Sequence, residues 1–248
     1  MTYPAIPLAG RIPDNLRVYV IGDVHGCADL LDDMAGQIHR HRQESPRDRT
    51  IVIMLGDYVD RGSDSFLVVE KLLSGLFQTE TVLLKGNHEA VLLDFLDGKL
   101  PLAYWSRVGG IETIESYRRR RPDLRHTFEA SDPDAHVKFA QLIPDSHMAF
   151  FRNLPISISI GDFFFCHAGV KPGVALTLQR QDDLLWIRDA FLDSRTDFGK
   201  IVVHGHTPAP DVEILPNRIN VDTGAYRTGC LSCVALDENR NTILRSRR

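Results

Sequence analysis

Five short polar segments in this chain each follow directly on a short apolar run. The polar segments are GDVHG at 22–26, GDYVDRG at 56–62, GNHE at 86–89, CHAG at 166–169 and HGHT at 204–207. The apolar runs before them are Val18–Ile21, Ile51–Leu55, Thr81–Leu84, Phe163–Phe165 and Ile201–Val203. Runs of this length, rich in β-branched or aromatic residues, are typical of buried strands. Because ligands bind outside the carboxyl ends of strands in an open α/β sheet, we expect the five polar segments to meet at one site.

Each polar segment contributes Asp, Asn or His. One such residue after a glycine is usually a turn former or a helix cap, but five such segments in one chain exceed what turn chemistry explains. Carboxylate and imidazole ligands together suit Mn²⁺, Fe or Zn²⁺, and one carboxylate can bridge two ions. The sequence therefore predicts a pair of divalent metal ions, for which we expect Mn²⁺, with Fe or Zn²⁺ as alternatives. The predicted ligands are Asp23 and His25 on one ion, Asp57 as the bridge, and Asn87, His167 and His206 from later strand ends.

Two adjacent metal ions favour chemistry at phosphorus. A hydroxide shared by the ions would attack in line with the leaving group, without a covalent phospho-enzyme. Arg61 has a planar guanidinium that can bind two phosphate oxygens. His88, next to Asn87, is the predicted general acid for the leaving oxygen, and Asp60 is the carboxylate predicted to orient it.

The motifs GDVHG, GDYVDRG, GNHE, HAGV and HGHTP, in this order, resemble those of the phosphoprotein phosphatase (PPP) family of calcineurin-like metallophosphoesterases, in its bacterial serine/threonine protein phosphatase branch. The resemblance extends from Arg17 to about Asp237. It implies an α/β fold, called α+β in some schemes, with a central β-sandwich flanked by helices, a dinuclear metal site on loops at the strand ends and a small helical cap insert at about 98–150. It also implies the residue roles given above, with Asp60 and His88 as the acid pair.

Three further residues are interpreted through the same resemblance. The segment DLLWIR at 183–188 resembles a stretch that provides a second phosphate-binding arginine in bacterial members, which places Arg188 with Arg61 and Asn87 among the substrate-binding residues. The alternative for Arg188 is a solvated arginine on a helix face. The resemblance favours His206 over His204 as the metal ligand. Tyr226 either faces the site, as a family tyrosine does, or is an ordinary sheet tyrosine.

The middle of the chain has a helical rather than a strand pattern. Residues Ala90–Leu96 are predicted to be helical, 104–110 to break that pattern, and Ile111–Tyr117 to form a second helix. In this insert, Trp105 either stacks on a substrate or anchors the core. The arginine run Arg118–Arg121 either attracts acidic phosphopeptides or is a solvated helix end.

The composition is that of a globular intracellular enzyme. We expect a flexible lead-in at 1–15 and one catalytic domain at 16–248, since α/β folds of about 200–250 residues often form one domain. The net charge of -4 indicates no general nucleic-acid surface, and no apolar run approaches the about 18 residues that span a membrane. The N-terminus lacks a secretory signal and the four cysteines are expected to be reduced, so we expect a cytoplasmic location.

Three functions are compatible with these residues. The resemblance implies a phosphomonoesterase acting on phosphoserine and phosphothreonine in proteins or phosphopeptides. The alternative enzyme is a hydrolase of dinucleoside polyphosphates such as diadenosine tetraphosphate, because bacterial relatives with nearly the same motifs cleave phosphoanhydrides. The third is a binding module that has lost its metals, but every predicted ligand and acid position is filled here.

Overall fold

The structure, a computed structural model, describes residues 5–6, 10–124, 128–129, 131–238 and 241–248. Within these ranges the strands form two sheets, each mixing parallel and antiparallel pairs. The strands of the first sheet are β1 Ala5–Ile6, β2 Leu16–Ile21, β3 Arg49–Met54, β4 Glu80–Leu83, β10 Cys230–Leu236 and β11 Asn241–Arg247. Those of the second are β5 Ser157–Ile160, β6 Phe163–Cys166, β7 Ile201–His204, β8 Glu213–Ile214 and β9 Arg218–Asn220.

The parallel strands lie side by side in each sheet. The first sheet has the order β1-β11-β10-β2-β3-β4, in which β2, β3 and β4 are parallel and β10 is antiparallel to β2. The second has the order β5-β6-β7-β9-β8, with β6, β7 and β9 parallel. The carboxyl ends of the parallel strands in each sheet therefore share one edge, and the polar segments begin there.

The two sheets pack face to face, and alternate residues of each strand enter different cores. Val18 and Val20 of β2 lie in an apolar cluster between the sheets, together with Phe163 and Phe165 of β6. Tyr19, by contrast, belongs to the larger cluster formed with the helices outside the first sheet. A smaller cluster covers the outer face of the second sheet. The architecture is thus the predicted sandwich of two mixed sheets flanked by helices.

The helices lie outside the sandwich. They are α1 Ala28–Glu44, α2 Ser65–Leu73, α3 Asn87–Leu96, α4 Leu102–Arg107, α5 Gly110–Arg118, α6 Ala135–Ala140, α7 Asp145–Asn153, α8 Gln181–Trp186, α9 Asp189–Leu192 and α10 Ala225–Thr228, with a 3₁₀ turn at Leu176–Leu178. Helices α4 to α7 occupy the region predicted as a cap insert, and their buried apolar side chains belong to the core cluster of the first sheet. Among the described residues, no helix is both long and apolar enough to cross a membrane.

The five predicted strands are all present, but one prediction for the insert is wrong. The segment 104–110 was predicted to break the helical pattern, whereas Tyr104–Arg107 lies inside α4 and only Val108 and Gly109 separate α4 from α5. The helix forms because Leu102 and Trp105, three residues apart, bury one shared face.

The two ends of the predicted domain layout are only partly described. Residues 1–4 and 7–9 of the predicted lead-in lie outside the described residues, while Ala5–Ile6 pairs with Asn241 and Thr242 of β11. The division of the chain into a lead-in and one domain stays a prediction. The four cysteines are free thiols, as expected from the sequence.

Candidate active site

The polar segments turn back sharply at the strand ends. In the described ranges, seven non-glycine residues have a positive φ, and five of them belong to these segments: His25, Asp57, Asp60, Arg61 and His206. The left-handed region disfavours residues with a Cβ, so such conformations persist only where surrounding contacts impose them. Backbone strain is therefore concentrated at the predicted site.

Glu89 fixes the loop that contains Asp57. One carboxylate oxygen accepts hydrogen bonds from the backbone amides of Tyr58 (2.8 Å) and Val59 (3.3 Å), and the other from those of Asp57 (2.9 Å) and Gly86 (2.9 Å). Burial and the nearby Asp57 carboxylate raise the pKa of Glu89 to about 7. Sequence reasoning gave Glu89 no role, although its position three residues after Gly86 is the spacing of a helix capping box.

Asp57 lies at the centre of two groups of possible metal ligands. His25, Asp57 and His88 form one buried group, and Asp57, His167 and His206 form the other, with the ligand atoms of each group within 4.8 Å of one another. Asp57 Oδ2 is 3.4 Å from Nε2 of both His25 and His167. Burial alone would raise the pKa of Asp57, but the surrounding histidines more than offset this and lower it. A charged carboxylate shared by two groups is the arrangement expected of a bridging ligand.

The histidines have the tautomers that metal binding requires. His25 Nδ1 is 2.8 Å from the carbonyl oxygen of Val59, and His167 Nδ1 is 3.0 Å from that of Leu55. A carbonyl only accepts hydrogen bonds, so both Nδ1 atoms are the protonated ones and both Nε2 lone pairs face Asp57. Burial lowers the pKa of His25 to about 3 and also lowers the pKa of His167. Burial thus favours the neutral form of both rings, which is the form that binds metal.

The second group is crowded with acceptor atoms. Asn87 Oδ1 lies 2.8 Å from His167 Nε2 and 2.8 Å from His206 Nδ1. Since His167 Nε2 has no proton, its lone pair and the Asn87 oxygen face each other, as they would around a shared cation. None of the described residues forms a hydrogen bond with the buried Nε2 of His206. The donor set on this side therefore fits a divalent ion.

Asp23 lies beside these groups rather than within either of them. Its carboxylate accepts a hydrogen bond from the backbone amide of His206 at 3.1 Å. Burial and the neighbouring Asp222 raise the pKa of Asp23 well above its usual value. Asp222, which sequence reasoning did not select, has a buried Oδ2 that accepts no hydrogen bond within the described part of the chain. Burial raises the pKa of Asp222 to about 6. Asp222 also follows a strand, β9, and that is the signal by which it could have been found.

The predicted acid pair is formed. His88 Nδ1 lies 2.7 Å from Asp60 Oδ2, and both residues are buried. Burial opposes the charged form of His88, but Asp57 and the hydrogen-bonded Asp60 outweigh it and raise the pKa of His88. Trp105 does not stack on a substrate: it is fully buried, and its indole N–H donates to both oxygens of Asp60. The interpretation of Trp105 as a core anchor is confirmed, with a hydrogen bond that was not expected.

Arg61 and Tyr226 lie together against His25. The Arg61 guanidinium lies over the Tyr226 ring, 4.9 Å from its centroid, and Arg61 Nη1 is 3.1 Å from His25 Nε2. The Tyr226 ring meets the His25 ring edge to face, with centroids 5.4 Å apart. Tyr226 belongs to α10, so its interpretation as an ordinary sheet tyrosine is wrong.

The remaining candidates lie at the margin of the site. Arg188 is exposed and donates to Thr207 Oγ1 at 3.4 Å, next to His206. His204 is buried against the Phe191 ring, belongs to neither ligand group, and has its pKa lowered to about 3 by burial. The structure thus brings Arg188 near the site and leaves His204 outside the ligand groups. The phosphate-binding role of Arg188 stays a prediction.

The arginine run Arg118–Arg121 is held by local partners. Arg118 pairs with Glu115, Arg119 donates to the carbonyl of Ser63, Arg120 pairs with Asp64, and Arg121 pairs with Asp123. These contacts favour a solvated helix end over a docking surface for acidic peptides.

Comparison with known proteins indicates the family to which this chain belongs. The sequence model of the calcineurin-like phosphoesterases matches residues 16–231. Serine/threonine-protein phosphatase 2 of Salmonella typhimurium is 27% identical over 233 residues, covering 87% of this chain and 91% of that protein. The asymmetrical bis(5'-nucleosyl)-tetraphosphatase PrpE of Anoxybacillus flavithermus is 24% identical over 239 residues, covering 88% of this chain and 90% of that protein. In fold, the chain is similar to a cold-active protein tyrosine phosphatase of known structure, with a TM-score of 0.60, 18% identity and coverage of 96% of this chain and 79% of that one.

Proposed function

The chain belongs to the calcineurin-like phosphoesterases, and we propose that it is a phosphomonoesterase that dephosphorylates phosphoserine and phosphothreonine in proteins. The similarity to a bacterial serine/threonine-protein phosphatase over most of both chains supports this substrate class. Its other support is that the residues such chemistry needs lie together at one site, with the proposed metal ligands buried.

One observation carries the proposal: the Asp57 carboxylate is shared by two ligand groups, and a hydrogen-bonded His88–Asp60 pair lies directly beside it. His88 Nε2 is 3.9 Å from Asp57 Oδ2. A shared carboxylate without a general acid would be expected of a site that only binds metal. A general acid without metal ligands would be expected of a hydrolase that uses no metal. Both features together suit phosphate ester hydrolysis.

Enzymes of this family use two divalent metal ions. We propose His25 and Asp57 as ligands of one ion, joined by Asp23 from beside their group, and Asp57, Asn87, His167 and His206 as ligands of the other. Bound ions would supply positive charge beside the phosphate and a water molecule of lowered pKa. Mn²⁺ is the proposed metal, with Fe or Zn²⁺ as alternatives, since mixed oxygen and nitrogen ligands suit all three.

The side chains around the ligands have separate tasks. The guanidinium of Arg61 binds phosphate oxygens, its position set by the Tyr226 ring, and Arg188 binds from the exposed side. Because His88 Nδ1–H donates to Asp60, the proton available to the departing oxygen is the one on Nε2. The Asp57 and Asp60 carboxylates raise the pKa of His88, which favours the protonated form that a general acid needs.

Hydrolysis of dinucleoside polyphosphates is the second candidate. The relative named bis(5'-nucleosyl)-tetraphosphatase supports it, and so does Trp186 at the end of α8. Trp186 is 42% exposed, and its ring meets the His206 ring edge to face with centroids 6.3 Å apart. An exposed indole at this distance from the ligands offers a face on which a nucleobase can stack.

A direct rate comparison tests the choice. Mn²⁺-loaded protein is assayed with a phosphoserine or phosphothreonine peptide and with diadenosine tetraphosphate, and Asp57→Asn serves as the blank. We expect kcat/KM for the peptide to exceed that for the dinucleotide by orders of magnitude. The reverse order would replace the proposal by the second candidate, in which case Trp186→Ala should raise KM for the dinucleotide alone. Rates no higher than the blank on either substrate would refute both.

The cytoplasmic location stays a prediction.

A further inference from the structure

The carboxylate of Asp60 is surrounded by donors from the helices of the insert. Besides His88 Nδ1, its oxygens accept from the indole N–H of Trp105, at 3.1 Å to each oxygen, and from the hydroxyl of Thr113, at 2.8 Å to Oδ1. All of these residues are at most 1% exposed. The carboxylate thus has one donor from α3, one from α4 and one from α5.

Thr113 also holds the backbone of the same residue. Its Oγ1 accepts a hydrogen bond from the amide of Asp60 at 2.8 Å and lies 3.0 Å from the Ser65 hydroxyl. Asp60 has a φ of +69°, a conformation that needs external support in a residue with a side chain. Thr113 therefore fixes both the backbone and the carboxylate of Asp60.

The glycines between α4 and α5 leave room for these contacts. A Cβ on Gly110 would lie 2.3 Å from the Trp105 ring, so the indole can reach Asp60 only because residue 110 has no side chain. Gly109 has a φ of +106°, and its carbonyl oxygen accepts a hydrogen bond from the backbone N–H of Arg61 at 3.1 Å. A Cβ on Gly109 would lie 2.6 Å from that nitrogen. The connection between α4 and α5 thus contacts Arg61, the proposed phosphate-binding residue, and leaves room for the Trp105 indole to reach Asp60.

We infer that Trp105 and Thr113 are positioning residues for the general acid: together they fix the Asp60 carboxylate so that it holds His88 by Nδ1 with Nε2 directed at the leaving oxygen. This inference rests on the proposed phosphomonoesterase function. A carboxylate held by three donors from different helices has one orientation, whereas without the indole and the hydroxyl it can rotate away from His88. The insert then contributes to the acid step, although neither residue touches the substrate.

Leaving-group dependence separates this role from a merely structural one. Trp105→Phe keeps an aromatic ring against Phe95 and Phe139 but removes the N–H, and Thr113→Val removes the hydroxyl at nearly constant volume. Phenyl phosphate needs a proton on its leaving oxygen, whereas the 4-nitrophenolate of 4-nitrophenyl phosphate departs without one. We expect each variant, loaded with Mn²⁺, to lower kcat for phenyl phosphate about tenfold and kcat for 4-nitrophenyl phosphate by much less. Thr113→Ser should restore the wild-type ratio of the two rates.

Tyr117→Phe is the matched control. Tyr117 lies in α5 like Thr113, is fully buried, and its hydroxyl is 2.7 Å from His147 Nδ1, so the variant loosens the insert without touching Asp60. We expect Tyr117→Phe to leave the ratio of the two rates unchanged. If it shifts that ratio as much as Trp105→Phe does, or if Trp105→Phe lowers both rates equally, the inference is overturned.

A double-mutant cycle gives a second criterion that does not depend on how well one variant folds. If Trp105 and Thr113 act through Asp60, then in an Asp60→Asn background neither Trp105→Phe nor Thr113→Val lowers kcat for phenyl phosphate further. A full additional loss in that background overturns the inference. Should the wild-type protein hydrolyse neither ester, the proposed function fails and this inference with it. Should it hydrolyse both without the expected ratio change in the variants, only the inference fails.

Discussion

Arg17 and Asp237 form a buried ion pair that holds the strand leading to the first polar segment. Both Nε and Nη2 of Arg17 donate to Asp237 Oδ2, at 2.8 and 2.6 Å, and each side chain is 2% exposed. Arg17 lies in β2, and Asp237 directly follows β10. We predict that Asp237→Asn destabilises the protein strongly and leaves the turnover of the folded enzyme unchanged.

The expected size follows from burial. Removing the charge of Asp237 leaves Arg17 charged and buried with only uncharged hydrogen-bond partners, which costs about 3–5 kcal/mol. The same change removes the partner charge of Arg47, which is 29% exposed. The free energy of unfolding of a typical domain is about 5–15 kcal/mol, so the variant should remain folded but unfold at a much lower urea concentration. Activity should survive because Arg17 lies at the amino end of β2, whereas Asp23 and His25 follow its carboxyl end.

Urea unfolding at neutral pH, followed by far-ultraviolet circular dichroism, measures the change. Asp29→Asn is the control, because Asp29 also accepts two hydrogen bonds from Nε and Nη2 of one arginine, Arg248, at 2.6 Å each. There the bonds go to two carboxylate oxygens rather than one, and the side chains are 56% and 48% exposed. An exposed pair contributes about 0–1 kcal/mol, so the control should unfold nearly as the wild type does. If Asp237→Asn and Asp29→Asn lose the same stability, burial does not set the cost and the reasoning is refuted.

Three further predictions concern the acid, the pH response and the insert. His88→Asn should lower kcat about 10²- to 10⁴-fold while the metal content measured by elemental analysis stays at the wild-type level; an apo-protein would contradict this. Burial, with a further effect of Arg17, lowers the pKa of His41 from 6.5 to about 4, so the folded state binds fewer protons than the unfolded one between these values. The free energy of unfolding should therefore fall as the pH drops from 6.5 to 4, and His41→Gln should flatten that slope in urea titrations. Gly110→Ala should displace the Trp105 ring and lower both thermal stability and kcat for phenyl phosphate. Gly75→Ala, where no described atom lies within 4 Å of the added Cβ, should leave kcat unchanged.

Much of the site was predictable because its chemistry is local in sequence. A strand and the polar segment that ends it are contiguous, so the residue types at 22–26, 56–62 and 86–89 already indicate metal ligands and an acid. Parallel strands align their carboxyl ends, so the approximate meeting of these segments also follows from the pattern. The two-sheet architecture and the His88–Asp60 pair agree with that prediction.

Other contacts depend on tertiary packing, which no local pattern specifies. The hydrogen bonds from Trp105 and Thr113 to Asp60 join residues 45 and 53 positions apart, and they require an indole to lie across the bare backbone of Gly110. The proximity of Asp222 to Asp23 likewise depends on how the two sheets are packed. Residue types and their spacing determined which groups perform the chemistry, whereas packing between distant segments decided how those groups are oriented, because orientation depends on donors that reach a carboxylate from other helices and strands.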